Sequence, residues 1–229
     1  MKMNRRTFSA AAMGAVALPN GAAASAAAPQ ESFPKDCDEA LARLKAGNDR
    51  FVNGELRHPH LSNDWRKRLA GGQKPFATIL GCSDSRVPPE LLFDQGFGDL
   101  FVIRVAGNVI DTDVTGSIEY GVDHLKTNLV VVMGHEGCGA VTAALQAEED
   151  IASEPNEIRS LVGKIKPATK HVNSSLPFKE RLQKSVEANV HASVKLLKNV
   201  PDLKKAERDN VTKIIGCVYD IESGRVRTL

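Results

Sequence analysis

The chain has 229 residues, of which 42% are hydrophobic and 25% are charged. These values are typical of a soluble globular protein, and the length suffices to bury a core without stabilising disulfides. The 30 basic and 28 acidic residues nearly balance, which excludes the strongly basic composition of nucleic-acid-binding proteins.

The first 28 residues differ from the rest and have the three parts of a secretory signal peptide. Lys2, Arg5 and Arg6 are basic, an apolar stretch follows at 8–18, and small residues fill 22–28. The Arg5-Arg6 pair resembles a twin-arginine export signal. We predict a signal peptide at 1–28, export to a bacterial periplasm, and one mature domain at 29–229. The alternative is an alanine-rich disordered tail.

Removal of this leader changes the charge balance. It holds three of the basic residues and none of the acidic ones, so the mature chain carries a formal net charge of about −1. The basic character of the whole chain therefore belongs to the signal. We expect the mature protein to bind neither nucleic acid nor membrane.

Four short apolar runs rich in branched residues alternate with helical patterns along the mature chain. They predict strands buried on both faces, at 76–82, 100–106, 128–133 and 212–219. Residues 29–35 are predicted as a linker. Helices are predicted at 37–55 with Asp36 as the N-cap, and at 65–69, 114–125, 140–146 and 180–198. The alternation predicts an α/β fold with a mainly parallel sheet of about four strands flanked by helices, and residues 225–229 are a candidate extra edge strand.

Two polar clusters follow predicted strands and carry the candidate chemistry. Cys82-Ser83-Asp84-Ser85-Arg86-Val87 follows the first strand, and His135-Glu136-Gly137-Cys138-Gly139 follows the third. Because sites in open α/β sheets form outside the carboxyl ends of the strands, the two loops are expected to meet.

Two thiolates and one imidazole are ligands that suit zinc. Cys82, His135 and Cys138 would supply three ligands and leave a fourth position open, as in catalytic zinc sites. Each cysteine taken alone would more commonly be a buried core thiol. The combination of both motifs at strand ends favours the zinc site.

Asp84 and Arg86 are predicted to act beside this metal. The arginine would hold the aspartate ionised and oriented through charge-assisted hydrogen bonds. The carboxylate could then accept a hydrogen bond from a zinc-bound hydroxide, or could itself bind zinc and give a closed, inactive form. The alternative for this pair is a surface ion pair that caps a helix.

The two motifs resemble the signature sequences of the β-class carbonic anhydrases, and the likeness runs from about Cys37 to the C-terminus. The resemblance implies a lyase (carbonate dehydratase) that interconverts carbon dioxide and bicarbonate. Its zinc would be held by the ligands named above, with the aspartate–arginine dyad at Asp84 and Arg86. It also implies a homodimer or a larger homo-oligomer, in which Gln73 or Tyr120 completes a neighbour's pocket.

Further positions resemble the plant-type branch of that family. Gln73, Phe101 and Tyr120 fall where that branch lines its carbon dioxide pocket, and Gly139 falls where a backbone N–H can face substrate oxygens. One position departs from a bicarbonate-inhibited branch, which has a tryptophan where this chain has Ile79, although Arg104 of the same inhibitory pocket is present. We therefore predict no strong regulatory bicarbonate site.

The ligand set also implies an alkaline pH dependence. Two thiolates nominally cancel the charge of Zn²⁺, so bound water should be less acidic than in a site with three neutral histidines. Activity should therefore rise on the alkaline side of neutral.

Three alternatives keep some of these residues and change the function. Carbon disulfide and carbonyl sulfide hydrolases share the scaffold and the zinc ligands. A non-catalytic exported zinc-binding protein would use the metal for stability alone, and Asp84 and Arg86 argue against it. A thiol redox protein is disfavoured because the chain lacks a C-x-x-C pair. The sequence is compatible both with a disulfide between Cys37 and Cys217 and with two reduced thiols at these positions.

Overall fold

A five-stranded sheet runs through the part of the chain that the structure, a computed structural model, describes: residues 33–229. Its strands are β1 (Ala77–Gly81), β2 (Leu100–Arg104), β3 (Leu129–His135), β4 (Lys213–Tyr219) and β5 (Val226–Thr228). Their order is β2-β1-β3-β4-β5, with the first four parallel and β5 antiparallel to β4. The predicted mainly parallel sheet and its C-terminal edge strand are confirmed. The predicted export signal and the first part of the predicted linker lie outside the described residues.

Helices flank this sheet throughout the described region. They are α1 (Cys37–Asn53), α2 (Asn63–Leu69), α3 (Pro89–Leu92), α4 (Thr112–Asp123), α5 (Gly139–Ala144), α6 (Glu148–Ser153), α7 (Asn156–Thr169), α8 (Phe178–Leu197) and α9 (Pro201–Arg208). The five predicted helices correspond to α1, α2, α4, α5 and α8. Among the described residues, no helix combines the length and the apolar character needed to cross a lipid bilayer.

Helix α1 begins and ends where its sequence predicts. Asp36 accepts hydrogen bonds from the backbone N–H groups of Asp38 and Glu39 at 3.0 and 2.9 Å, which satisfies donors that the first turn leaves free. The helix ends at Gly54, whose φ of 71° is the left-handed conformation that glycine adopts without strain.

The strands differ in burial in a way that the sequence pattern did not predict. Every residue of β1 and β3 is buried, as expected for central parallel strands. Strand β2 is only half-buried and its last residue is exposed, so the prediction of burial on both faces is wrong for it. The reason is its position at the edge of the sheet, where it has a neighbour on one side only.

Helices cover both faces of the sheet. On one face, Leu44 of α1 lines a small cavity together with Val131 and Cys217 of the sheet. On the other, α8 approaches so closely that a Cβ at Gly134 or Gly216 would lie 2.7 Å from a methyl group of Val190. Two glycines in adjacent strands therefore let α8 reach the end of β3, where the candidate site begins.

Candidate metal centre

The two polar clusters of the sequence meet at the carboxyl ends of adjacent strands. Cys82 directly follows β1 and His135 is the last residue of β3, and these strands are parallel neighbours with Gly81 opposite Met133. Cys138 comes after a turn in which Gly137 has a φ of 65°, and it directly precedes α5. The parallel pairing of β1 with β3 thus unites residues that are distant in the chain.

Three ligand atoms converge at this point. The sulfurs of Cys82 and Cys138 and a ring nitrogen of His135 all lie within 4.8 Å of one another, and all three residues are buried. His135 Nδ1 lies 3.0 Å from the backbone oxygen of Glu136, which fixes the orientation of the ring. Its Nε2 is buried and has no hydrogen-bond partner. Because buried polar atoms are normally paired, an unpaired nitrogen beside two sulfurs is what a tetrahedral zinc ion would satisfy.

The two thiols influence each other's ionisation. Hydrogen bonding with Cys138 lowers the pKa of Cys82, and the backbone N–H groups of Asp84 and Gly107, at 3.4 and 3.3 Å from Cys82 Sγ, act in the same direction. Hydrogen bonding with Cys82, together with burial, raises the pKa of Cys138. The pair therefore releases one proton readily and holds the second. A divalent cation would supply the positive charge that releases it.

Asp84 lies beside this cluster and is paired with the exposed Arg86. Its carboxylate accepts two hydrogen bonds from the Arg86 side chain, at 2.9 and 2.7 Å, and one from the Arg86 backbone N–H at 3.0 Å. These bonds hold the pKa of Asp84 well below its usual range. Asp84 Oδ2 also lies 3.9 Å from His135 Nε2. The pair caps no helix, since α3 begins at Pro89 and has no side-chain cap, although Arg86 itself is exposed.

Arg104, the last residue of β2, supports the loop that carries Cys82 and Asp84. Its Nε donates to the backbone oxygen of Cys82 at 2.9 Å, and its Nη2 donates to that of Asp84 at 2.5 Å. The sequence drew attention to Arg104 only as part of an inhibitory pocket. The contact of Gly107 with Cys82 was not predicted, because its only signal is a glycine shortly after a strand.

The predicted substrate residues divide into two groups. Gly139 is the first residue of α5 and adjoins Cys138. Gln73 is exposed and precedes β1, so it lies beyond the opposite end of this strand from Cys82. Because β1 has five residues, it separates these two positions by about 17 Å. Phe101 pairs with Thr78 near the start of β1, and its ring lies 6.1 Å from that of Tyr120, which is 47% exposed.

The four cysteines, all within the described residues, are free thiols. Cys37 is half-buried at the start of α1, and Cys217 is buried in β4. Burial raises the pKa of Cys217 to about 11, so its thiol stays protonated at neutral pH. The structure thus corresponds to the alternative with two reduced thiols.

Comparison with known proteins bears directly on this site. A sequence model of the carbonic anhydrase family matches residues 77–226. Carbonic anhydrase 2 of Mycobacterium tuberculosis is 42% identical over 183 residues, which are 80% of this chain and 87% of the relative. A carbonic anhydrase of Pseudomonas aeruginosa is 37% identical over 176 residues, covering 71% and 77% of the two chains. A solved structure of a tetrameric β-carbonic anhydrase from Sordaria macrospora covers 84% of this chain and 97% of its own, with 29% identity and a TM-score of 0.66.

Proposed function

Since the chain belongs to the β-class carbonic anhydrase family, we propose that Cys82, His135 and Cys138 hold its zinc ion and that Asp84 and Arg86 are its catalytic dyad. The chain catalyses the zinc-dependent reversible hydration of carbon dioxide to bicarbonate and a proton. The observation that carries the residue assignment is the convergence of two sulfurs and one unpaired imidazole nitrogen within 4.8 Å.

Zinc, when bound at such a site, is a Lewis acid that lowers the pKa of a coordinated water molecule. The chain's own residues supply orientation and charge. Asp84 stays ionised because Arg86 donates to both of its carboxylate oxygens, so the carboxylate can accept a hydrogen bond at the edge of the metal cluster. Arg104 holds the backbone of the loop that carries Asp84. We assign to Gly139, the first residue of α5 and the neighbour of Cys138, the role of donating its backbone N–H to substrate oxygens.

The experiment that tests this function is stopped-flow carbon dioxide hydration on the mature protein, with zinc measured on the same sample. Hydration that scales with zinc content supports the assignment. Parallel assays with carbon disulfide and carbonyl sulfide separate the hydrolase alternative, and turnover of those substrates alone would refute the proposal. Zinc-replete protein without hydration activity would instead favour a non-catalytic zinc-binding protein.

The positions of Gln73, Phe101 and Tyr120 support the proposal of a homo-oligomer. Within one chain, the length of β1 separates Gln73 from the metal cluster, and the Phe101–Tyr120 pair lies toward the same end of that strand. If these residues line a carbon dioxide pocket, as the family resemblance implies, that pocket belongs to a neighbouring copy. We propose a homodimer or a larger assembly with pockets of the plant type. The tetrameric state of the Sordaria macrospora relative supports this proposal.

Mixing two inactive variants tests this shared pocket. Q73A loses the donated side chain and C82S loses a metal ligand. If Gln73 completes the pocket of the neighbouring copy, a mixed Q73A/C82S dimer contains one intact site, formed by the metal ligands of the Q73A chain and Gln73 of the C82S chain. Such a dimer should recover about half of the wild-type activity per dimer. We would measure hydration after co-refolding the two variants.

The control mixes C82S with C138S. Each of these changes removes a metal ligand from the chain that carries it, so both sites of a mixed dimer are damaged and no activity should be recovered. Recovery in the control, or none in the Q73A/C82S mixture, would contradict a pocket shared between copies.

The kinetics should lack bicarbonate cooperativity. Ile79 is fully buried in β1 where the inhibited branch has tryptophan, and the Arg104 guanidinium already donates to two backbone oxygens. We expect a hyperbolic dependence of dehydration rate on bicarbonate concentration. A sigmoidal steady-state curve would contradict this prediction.

We also propose export to a bacterial periplasm through a twin-arginine route, with the mature domain at residues 29–229. The support is the three-part pattern at residues 1–28 with the Arg5-Arg6 pair. Fractionation of cells that express the full chain would test it, with Arg5 and Arg6 replaced by lysine as the control.

A further inference from the structure

Cys82 receives two backbone hydrogen bonds at its sulfur, and they come from different parts of the chain. The N–H of Asp84, from the same loop, lies 3.4 Å from Sγ. The N–H of Gly107 lies 3.3 Å from Sγ and belongs to the 3₁₀ turn (Ala106–Asn108) that follows β2. This second donor depends on contacts that hold the turn in place.

The turn has a conformation that few residues can adopt. Gly107 has a φ of 67°, and a Cβ there would lie 2.6 Å from Ile165 Cδ1 of α7. The residue before the turn, Val105, is joined to the sheet through its N–H, which donates to the Gly81 oxygen at 3.1 Å, and the N–H of Asn108 closes the turn by donating to the Val105 oxygen at 2.9 Å. These bonds fix the entry to the turn but leave the carbonyl of Gly107 to another donor.

Asn189 of α8 is that donor. Its side chain is buried, with 4% of the residue exposed, and its Nδ2 donates to the Gly107 oxygen at 2.9 Å. The next residue, Val190, packs on Gly134, which directly precedes His135. Helix α8 thus reaches the metal cluster from a remote part of the sequence.

We propose that Asn189 is a positioning residue of the metal centre. By holding the Gly107 carbonyl, it keeps the Gly107 N–H directed at Cys82 Sγ. That hydrogen bond orients the sulfur lone pairs toward the metal, which favours metal binding, and it withdraws electron density from the sulfur, which raises the energy of thiolate-to-metal charge transfer. Asn189 therefore influences both the affinity and the electronic spectrum of the site. The inference rests on the proposed role of Cys82 as a zinc ligand.

A purely structural role for Asn189 makes a different prediction, and Asn48 provides the comparison. Asn48 is 5% exposed and its Nδ2 donates to the backbone oxygens of Leu92 and Gly224, at 3.1 and 2.9 Å. It belongs to α1, and neither carbonyl adjoins the metal cluster. Loss of its amide should reduce stability without changing the metal site.

The test compares N189L and N189S with N48L as the matched control. Because loss of a group that orients a metal ligand typically weakens binding 10- to 100-fold, we expect the zinc dissociation constant of N189L to rise about tenfold. N189S, which keeps a shorter donor, should lie between N189L and the wild type. In cobalt-substituted N189L, the thiolate-to-cobalt charge-transfer band should lie at lower energy than in the cobalt-substituted wild type, because the sulfur loses a hydrogen bond. N48L should unfold at a lower temperature yet keep the wild-type dissociation constant and band energy.

A measurement on the wild-type protein makes the test independent of whether N189L folds. With an NMR-active cadmium isotope in the site, scalar coupling from cadmium should reach the amide protons of both Gly107 and Asp84. N189S should weaken the Gly107 coupling and leave that of Asp84 unchanged.

Two results would overturn the proposal: wild-type zinc affinity and band energy in the Asn189 variants, or no coupling to the Gly107 amide in the wild type. Coupling of cadmium to the Cys82 β-protons reports separately on the ligand role. Its absence would mean that the assignment of Cys82, and not only the role of Asn189, has failed.

Discussion

Replacement of Cys82 by serine is expected to remove most of the bound zinc and most of the activity. A serine hydroxyl lacks the soft thiolate that zinc prefers, and only His135 and Cys138 of the converging group remain. Because groups that merely orient ligands contribute 10- to 100-fold, loss of a ligand should lower hydration by more than about 100-fold. Zinc content by elemental analysis and stopped-flow rates on the same sample would measure both effects.

The matched control is C217S, which places the same change at another buried cysteine. Cys217 lies in β4, lines a cavity together with Leu44 of α1, and is not one of the three converging ligands, so C217S should retain zinc and turnover even if its melting temperature falls. Added zinc should raise the melting temperature of metal-free wild type and of metal-free C217S, but not that of C82S. A C82S protein with full zinc content and wild-type rates would show that Cys82 is not a ligand.

Replacement of Asp84 by asparagine should separate metal binding from turnover. The amide keeps the shape of the carboxylate but removes its charge, and its NH₂ group cannot accept a hydrogen bond from Arg86. We expect D84N to retain zinc and to lose about 100-fold in kcat, the size of effect seen when one preorganised polar group is removed from an active site. Zinc content and stopped-flow kinetics would be measured together.

The control for D84N is D94N, which alters another aspartate paired with an arginine. Asp94 Oδ2 lies 2.6 Å from Arg50 Nε, and the carboxylate accepts hydrogen bonds from the backbone N–H groups of Arg57 and His58. It follows α3, before β2, so it lies away from the carboxyl ends of the strands. D94N should lose stability and keep its turnover number. Wild-type turnover in D84N would remove Asp84 from the mechanism.

The sheet and its site could be predicted because local patterns determine them. Short branched apolar runs identify β1, β3 and β4, and the rule that parallel strands place their carboxyl ends together brings Cys82 near His135. The edge position of β2 could not be predicted, since strand order depends on how the connecting helices pack. The sequence pattern of β2 is as apolar as that of β1, although the structure leaves β2 half-buried.

Several helices and contacts escaped prediction for physical reasons. Helix α7 contains Pro167 in its last turn, and α9 begins with a proline, so residues that commonly interrupt helices obscured both. The contact between Asn189 and Gly107 joins α8 to a turn, and the two residues are 82 positions apart in the chain. No local spacing encodes such a contact, because it arises only when α8 docks on the sheet.

The placement of the metal ligands on two separate strands has a consequence for maturation. Cys82 and His135 come together only when β1 lies beside β3, so a nascent or unfolded chain holds no preassembled cradle for the ion. An unfolded chain brings only His135 and Cys138 close together in sequence, so the complete set of three ligands forms only after the sheet has assembled. A chelator should accordingly remove the ion and leave a folded apoprotein that can bind metal again.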